Sequence, residues 1–402
     1  MPARFHADFS SLSLKPDVII IGGGIAGLTS AFFLAGKGLR PLVVERLPAV
    51  AMLASRRSGE GVRAQWEKPE NIAIARRSIA FYRDFTEYTG HSAGYRPLGY
   101  LYASRTEDGA EGLYQRVLRQ QKAGLDDVFF LKADDLRNKF STIAPDVTGA
   151  AFRQQDGVID IAQVVKGLLQ SADFDIATNI DVSAIKPDAG GVTVTTSHGR
   201  LDAPAVVLSS AARAPAMLSA LGITLPLRLS RSTIQYVEVE GVPSDHAAVM
   251  DVDLGSFWRP DSGGARMTAS FQSTLLLDTF TDDPPVDPDY LGIAIKTVAP
   301  MIPMWNDLAR SITGGHVRSG SLLVSADGGP LIGPVAGLDG VYLNTAYGGH
   351  GLMASPEGSR QLAAMIADGA DAAGDFLPSR FGNDKTKLVA EPMTVNLLSD
   401  QG

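Results

Sequence analysis

Cysteine is absent from this chain of 402 residues. Its absence excludes disulfides, iron–sulfur clusters, thiolate zinc sites, a catalytic thiol and any cofactor attached through sulfur. Histidine is sparse: His6, His91, His198, His246, His316 and His350 lie scattered without metal-ligand spacing, so no metal site is expected. No apolar run approaches the roughly 18 residues that span a bilayer, so no integral membrane segment is expected. The opening MPARFHADFSSLSLKP lacks a hydrophobic core segment and mixes acid with base, unlike a secretory leader, which makes the cytoplasm the expected location. Positive charge is in deficit: 36 Lys and Arg against 44 Asp and Glu leave a net charge of −8, which argues against a nucleic-acid partner.

What is present is concentrated in three stretches. The first is DVIIIGGGIAGLTSA, Asp17 to Ala31. Val18 to Ile21 is a short continuous apolar run, as in a strand buried on both faces of a parallel sheet. Gly22, Gly24 and Gly27 then follow the G-x-G-x-x-G spacing and open a helical run. The first glycine permits the tight turn, the second lets backbone approach a pyrophosphate, and the third lets helix and strand pack closely. Phosphates would meet the free N–H groups of Ile25, Ala26 and their neighbours at the positive end of the helix. A second apolar run ends in Glu45, 23 residues beyond Gly22, where a ribose hydroxyl needs a carboxylate acceptor. A dinucleotide is therefore expected, either NAD or FAD.

The second stretch, Ser55 to Arg63, is dense in hydroxyls, glycines and arginines, which suits a loop around a diphosphate. An apolar helical period follows, with Pro69 at its start. The patterns then predict a strand in GYLYAS (99–104), helices over 111–123, 134–140 and 162–169, and strands over 192–196 and 205–208. Alternating strands over 232–240, 257–259 and 267–271 read as a mainly antiparallel sheet, followed by a helical stretch over 290–308. In the third stretch, a buried strand at 341–344 runs into Tyr347-Gly348-Gly349-His350-Gly351 and a helix from about Leu352 to Ile366. This again aims a helix N-terminus at something anionic.

Together these stretches resemble the D-amino-acid oxidase superfamily of FAD-dependent oxidoreductases, which holds glycine oxidase, sarcosine oxidases and D-amino-acid dehydrogenases. The likeness covers roughly residues 16 to 370 and rests on the glycine fingerprint, GEGVRAQW with PENIAIARRSIAFY, and DGGPLIGP with GLDGVYLNTAYGGHGL. It implies an α/β fold: a Rossmann-type FAD-binding domain with a discontinuous α+β substrate domain built on an antiparallel sheet. The expected division assigns 15–90, 150–222 and 320–385 to the FAD domain and 91–149 and 223–319 to the substrate domain, with 1–14 and 386–402 as terminal extensions.

By the same resemblance, Gly22, Gly24, Ile25, Ala26 and Gly27 would hold the pyrophosphate and Glu45 the ribose. Arg46, Ser55, Arg57 and Ser58 would contact diphosphate and flavin, while Gly348, Gly349, His350, Gly351 and Leu352 would face the N1 and C2 carbonyl edge of the ring. Reduced flavin gains negative charge at that edge, so N–H donors there stabilise it. The implied reaction is oxidation of a C–N bond of a primary or secondary, amino-acid-like amine by hydride transfer to flavin N5. His350, Tyr347, Arg318, Arg259 and Glu60 are the candidates nearest that chemistry, with His316 and Arg231 as further cations and Tyr236 and Trp258 as pocket walls. The FAD is expected to be noncovalent, since cysteine is absent and no histidine lies between Arg46 and Gln65.

Four departures from the family pattern stand out. Ala211 replaces a turn glycine, which could reposition the backbone. Glu60 stands where relatives carry a small residue; it is either a substrate-facing carboxylate or a solvated loop acid, and the second is the reading favoured from sequence. Leu322 stands where glycine oxidase-like members place a carboxylate-clamping arginine. No lysine occurs between Lys186 and Lys296, where sarcosine oxidases place one near flavin N5. This last absence favours a dehydrogenase over an oxidase. The electron acceptor (oxygen, quinone or an electron-transfer protein) and a homo- or hetero-oligomeric state stay open. So do the alternatives of a hydroxy-acid oxidant, an NAD(P)H-dependent hydroxylase, or a FAD-holding subunit of a heteromeric dehydrogenase.

Overall fold

Four consecutive apolar residues, Val18–Ile21, form the centre of a seven-stranded sheet in a computed structural model that describes residues 2–6, 15–269, 276–370, 374–382 and 391. In spatial order its strands are Arg4–His6, Asp175–Ala177, Pro41–Val44, Val18–Ile21, Ala205–Leu208, Val341–Thr345 and Leu331–Pro334. The first six pair in parallel, and the last is an antiparallel edge strand. The alternation of side chains explains why every residue of the central strand is apolar. Val18 and Ile20 enter a core shared with the helices Ile25–Gly36 and Gly351–Asp368. Ile19 and Ile21 point the other way, against Val192, Val194 and Leu201 of an antiparallel three-stranded meander. A Rossmann-type sheet results, with helices on one face and a small sheet on the other.

The N-terminal residues are more than an extension. Arg4–His6 extends the sheet edge, and Asp175 takes hydrogen bonds from Arg4 Nε (2.9 Å) and pairs with His6 Nε2 (2.7 Å).

A nine-stranded sheet forms the second layer, antiparallel except where Ala248–Asp251 runs beside Tyr100–Ser104. Its own core gathers Trp258, Met267, Trp305 and Val298 beneath the helix Tyr290–Val298. That helix stops short of the expected 308 because Pro300 and Pro303 lack the N–H that would continue it, and a separate short helix, Trp305–Leu308, follows. The helix expected from 111 instead starts at Glu107: Thr106 accepts the Gly109 N–H and two acids occupy the first turn. Two expected domain edges fall inside strands. Gly149–Arg153 pairs wholly within the nine-stranded sheet, and Gly314–Ser325 pairs along its length with Leu227–Glu238. Nothing in the local composition marks those positions, because strand pairing is decided by distant partners. Residues 270–275, which include the end of the strand expected at 267–271, lie outside the described residues, as do most of the two terminal extensions.

Candidate active site

The end of the central strand and the start of the helix behind it are shaped by glycine. Gly22 has φ +110°, and a Cβ there would lie 2.6 Å from the Ser209 carbonyl oxygen. A Cβ on Gly27 would fall 1.9 Å from the Gly22 oxygen, so strand end and helix touch backbone to backbone. Gly24 caps the helix without a side chain, and the Ile25 N–H donates to Ser55 Oγ at 3.0 Å. Glu45 is fixed by backbone: its Oε2 accepts the Gly23 N–H (2.7 Å) and its Oε1 the Leu47 N–H (2.9 Å).

Two cavities open from this point. The smaller, about 120 Å³, is lined by Gly22, Glu45 and Arg46; the larger, about 270 Å³, by Ala26, Ser58, Glu60, Arg63, Leu322 and the loop Tyr347–Leu352. They share Gly24, Ala54, Ser55, Ser209, Ala211 and Ser321, and so form one elongated space from Glu45 to the second glycine loop. At its far end Gly348 and Gly349 adopt φ +52° and +91° ahead of the helix Gly351–Asp368, whose first turn holds no acid. The Gly348 and His350 N–H groups donate to the carbonyls of Leu323 and Tyr347, both at 2.9 Å.

The residues suit an extended dinucleotide with a redox ring. Two buried hydroxyls that line the larger cavity, Ser209 Oγ and Thr345 Oγ1, have no hydrogen-bond partner among the described residues, and buried polar groups of that kind call for a ligand donor or acceptor. One glycine-opened helix starts at the junction of the two cavities and the other at the far end of the space.

The match to the family model described as "FAD dependent oxidoreductase" (DAO) runs over residues 17–365. The chain belongs to this family. Its FAD-dependent relatives include glycine oxidase of Pseudomonas putida, 26% identical with 89% of this chain and 96% of that protein covered. The Bos taurus FAD-dependent oxidoreductase domain-containing protein 1 is 24% identical, with 88% and 82% covered. The crystal structure of glycine oxidase from Geobacillus kaustophilus superposes with a TM-score of 0.80 at 21% identity, over 92% of this chain and 99% of that one. FAD is therefore the cofactor, and the architecture is that of this family of oxidoreductases.

Several candidates occupy positions that change their reading. Arg46 pairs with Asp282 and lies over the Phe280 ring (5.5 Å), while Arg57 pairs with Asp283 at 2.6 Å and donates to the Ser319 carbonyl at 3.0 Å. Both guanidinium groups are thus held by the acidic loop around 280–283. Ser58 Oγ donates to the Ser55 carbonyl (2.9 Å), within its own turn. Tyr347 donates its hydroxyl to Asn344 Oδ1, and Asn344 donates in turn to Ser30 (2.8 Å) and Ser359 (2.9 Å). This chain ties the two glycine-opened helices together, and burial pushes the Tyr347 phenol well up. His350 packs against Trp66 (5.0 Å between ring centroids). Burial, reinforced by the nearby Arg63 cation, lowers its pKa to about 3, so the ring is neutral. Ala211 adopts φ +45°, a left-handed turn conformation that glycine takes more readily than alanine.

Glu60 is no solvated loop acid. Its own φ is +56°, and its carboxylate meets Arg266 Nη1 at 2.6 Å and Arg259 Nη2 at 3.4 Å. Arg259 donates Nε to the Gly59 carbonyl (2.9 Å), and Tyr236 donates its hydroxyl to the Ser58 carbonyl (3.0 Å). Arg318 and His316 lie farther out: His316 stacks on Tyr236 at 4.5 Å and Arg318 covers the same ring at 4.9 Å. Arg231 donates to the Pro285 carbonyl, and Trp258 is core, packed on His246, away from the cavity.

Arg63 and Arg266 went unrecognised as individual site residues. Arg266 shares a strand face with Thr268, which lines the cavity, so period-two alternation was the available signal. Arg63 lines the cavity, lies 4.7 Å over the Trp66 ring, and has a buried, unpartnered Nε. Among the described residues it has no ion-pair partner.

Proposed function

We propose that the protein oxidises the C–N bond of an amine that carries one carboxylate, with noncovalent FAD. The carrying observation is Arg63, a guanidinium without a carboxylate partner among the described residues, in a cavity whose walls include Ile234, Met250, Phe257 and Leu322. A planar cation in such surroundings suits bidentate recognition of a carboxylate, and it takes over the role that Leu322 leaves vacant. Glycine oxidase, among the relatives, acts on an amino acid by name, which agrees with this reading.

FAD bound along the two glycine loops supplies the two-electron acceptor. The chain's own residues do the rest. Arg63 orients the substrate, and apolar walls together with the Arg63 charge disfavour its ammonium form and supply the neutral lone pair that the reaction needs. Neutral His350 and a Tyr347 phenol engaged with Asn344 leave neither as a strong base, and the reaction requires none. On the substrate sheet, Arg259 and Arg266 are balanced by Glu60 and Asp261, so neither charge is left free to favour oxygen reduction. A dehydrogenase that passes electrons to a quinone or an electron-transfer protein is the favoured form.

Anaerobic mixing with a panel of amines, amino acids and hydroxy acids tests this. Bleaching of the flavin by a carboxylated amine alone is expected. Bleaching only by hydroxy acids, or only after NAD(P)H, would replace the reading with one of those activities. Under air, peroxide release well below the rate with an artificial quinone marks the dehydrogenase; equal rates mark an oxidase.

A further inference from the structure

Arg259 and Arg266 stand directly opposite each other on adjacent antiparallel strands. Like charges in that relation repel, and both are withdrawn from solvent: their side chains are 2% and 11% exposed. Two guanidinium groups so placed form an anion site. In this chain the anion is internal. Glu60 reaches up from the loop beneath, its side chain 13% exposed, and places Oε2 against both arginines. It does so from a left-handed backbone conformation, φ +56°, which an L-residue adopts only at a cost. Asp261 supplies the second negative charge, 2.5 Å from Arg266 Nε and 3.4 Å from Arg259 Nη1. The four groups sum to zero charge, and Glu60 itself lines the large cavity.

We propose that Glu60 is a built-in carboxylate that fills the Arg259–Arg266 anion site and so limits the cavity to ligands with a single acidic group, held at Arg63. This deepens the reading above and rests on the large cavity being the substrate site. Removing the Glu60 carboxylate leaves two buried cations short of one anion, an unfavourable arrangement unless a ligand anion enters. A ligand carboxylate then has a second place to bind. Asp261 stays on the strand and keeps partial compensation, so the vacated site retains net positive charge and attracts an anion.

The test uses FAD-loaded protein and benzoate, followed by calorimetry and by perturbation of the flavin absorption band. Wild type binds benzoate through Arg63, and Arg63→Ala weakens binding at least tenfold. Arg63→Ala with Glu60→Gly regains at least tenfold over Arg63→Ala, whereas Arg63→Ala with Glu60→Asp, which keeps the charge, does not. Glycine suits φ +56°, so the substitution removes the charge without adding backbone strain. A second measurement needs no flavin: the unfolding midpoint of Glu60→Gly rises with millimolar sulfate more than that of wild type. Failure of both the double variant to regain benzoate and the single variant to respond to sulfate overturns the proposal. Neither readout involves turnover, so a protein that gains anions yet is bleached by no amine refutes the amine reading and leaves Glu60 in its assigned role.

Discussion

Replacing His350 with asparagine should remove one specific component of acid sensitivity. The imidazole is buried against Trp66, and its pKa falls from 6.5 to about 3 through burial first and the Arg63 charge second. In the unfolded chain the ring titrates near 6.5 and binds a proton that the folded protein refuses. A base whose folded pKa is depressed contributes stability that is fully present above the unfolded pKa and is lost as pH falls below it. Integrated from pH 7.5 to 5.0, a group with these two values costs about 2 kcal/mol, most of it below pH 6.5. Carboxylates, including Asp156 and Asp251 whose pKa values burial raises, are common to the two proteins and cancel in the comparison. Burial pushes Asp327 up, but Arg380 outweighs it and holds the group below its usual value, so its stabilisation is lost only at lower pH. His246, also lowered by burial, contributes alike to both proteins and cancels in the comparison. Urea unfolding with saturating FAD at the two pH values should show His350→Asn losing about 2 kcal/mol less than wild type. Equal losses would refute a neutral buried His350.

Three further outcomes follow from the geometry. Gly27→Ala should abolish FAD retention on gel filtration, since its Cβ would fall 1.9 Å from the Gly22 oxygen; a yellow, stable variant would contradict the close approach. Arg63→Ala should raise KM for a carboxylated amine by about 10- to 100-fold, the value of a lost charged hydrogen bond of roughly 1.5–3 kcal/mol, with kcat changed less; Arg63→Lys should recover part of it, and an unchanged KM would remove Arg63 from substrate binding. Ala211→Gly should raise stability by about 0.5–1 kcal/mol, because glycine accepts φ +45° without the Cβ penalty and gives back part of the gain as unfolded-chain entropy. A thermal midpoint that falls would show that the methyl group packs more than it strains.

The nucleotide loop was legible because its requirements are local: Gly22, Gly24, Gly27 and Glu45 are set by one strand, one turn and one helix. The loop at Gly348 and Gly349 was legible for the same reason. The charge pattern of the cavity was not. Glu60 and Arg266 meet only because the loop after Ser55 packs beneath a strand 200 residues later, and no spacing within either stretch records that contact. Arg46 and Arg57 carried the right chemistry for a diphosphate, yet the acids at 282 and 283 claim them from a distant loop. Likewise Arg4 and His6 gain meaning from Asp175, their sheet-edge neighbour, with Asp173 as a second partner of Arg4. What sequence periodicity left undecided is the identity of partners across the fold, which hydrophobic patterning does not encode.

The long pair Leu227–Glu238 and Gly314–Ser325 keeps one unbroken register from Leu227 opposite Ser325 to Glu238 opposite Gly314. Its middle lies beside the cofactor space, where Ser232, Ile234, Gly320, Ser321 and Leu322 form part of the wall, and its far end continues the sheet that roofs the cavity. A ribbon of that length behaves as a rigid girder between floor and roof, so the two layers are poorly placed to swing apart like jaws. Access for substrate then falls to the short segments at the rim, and the rate at which ligands come and go becomes a property of those loops rather than of a whole-domain hinge.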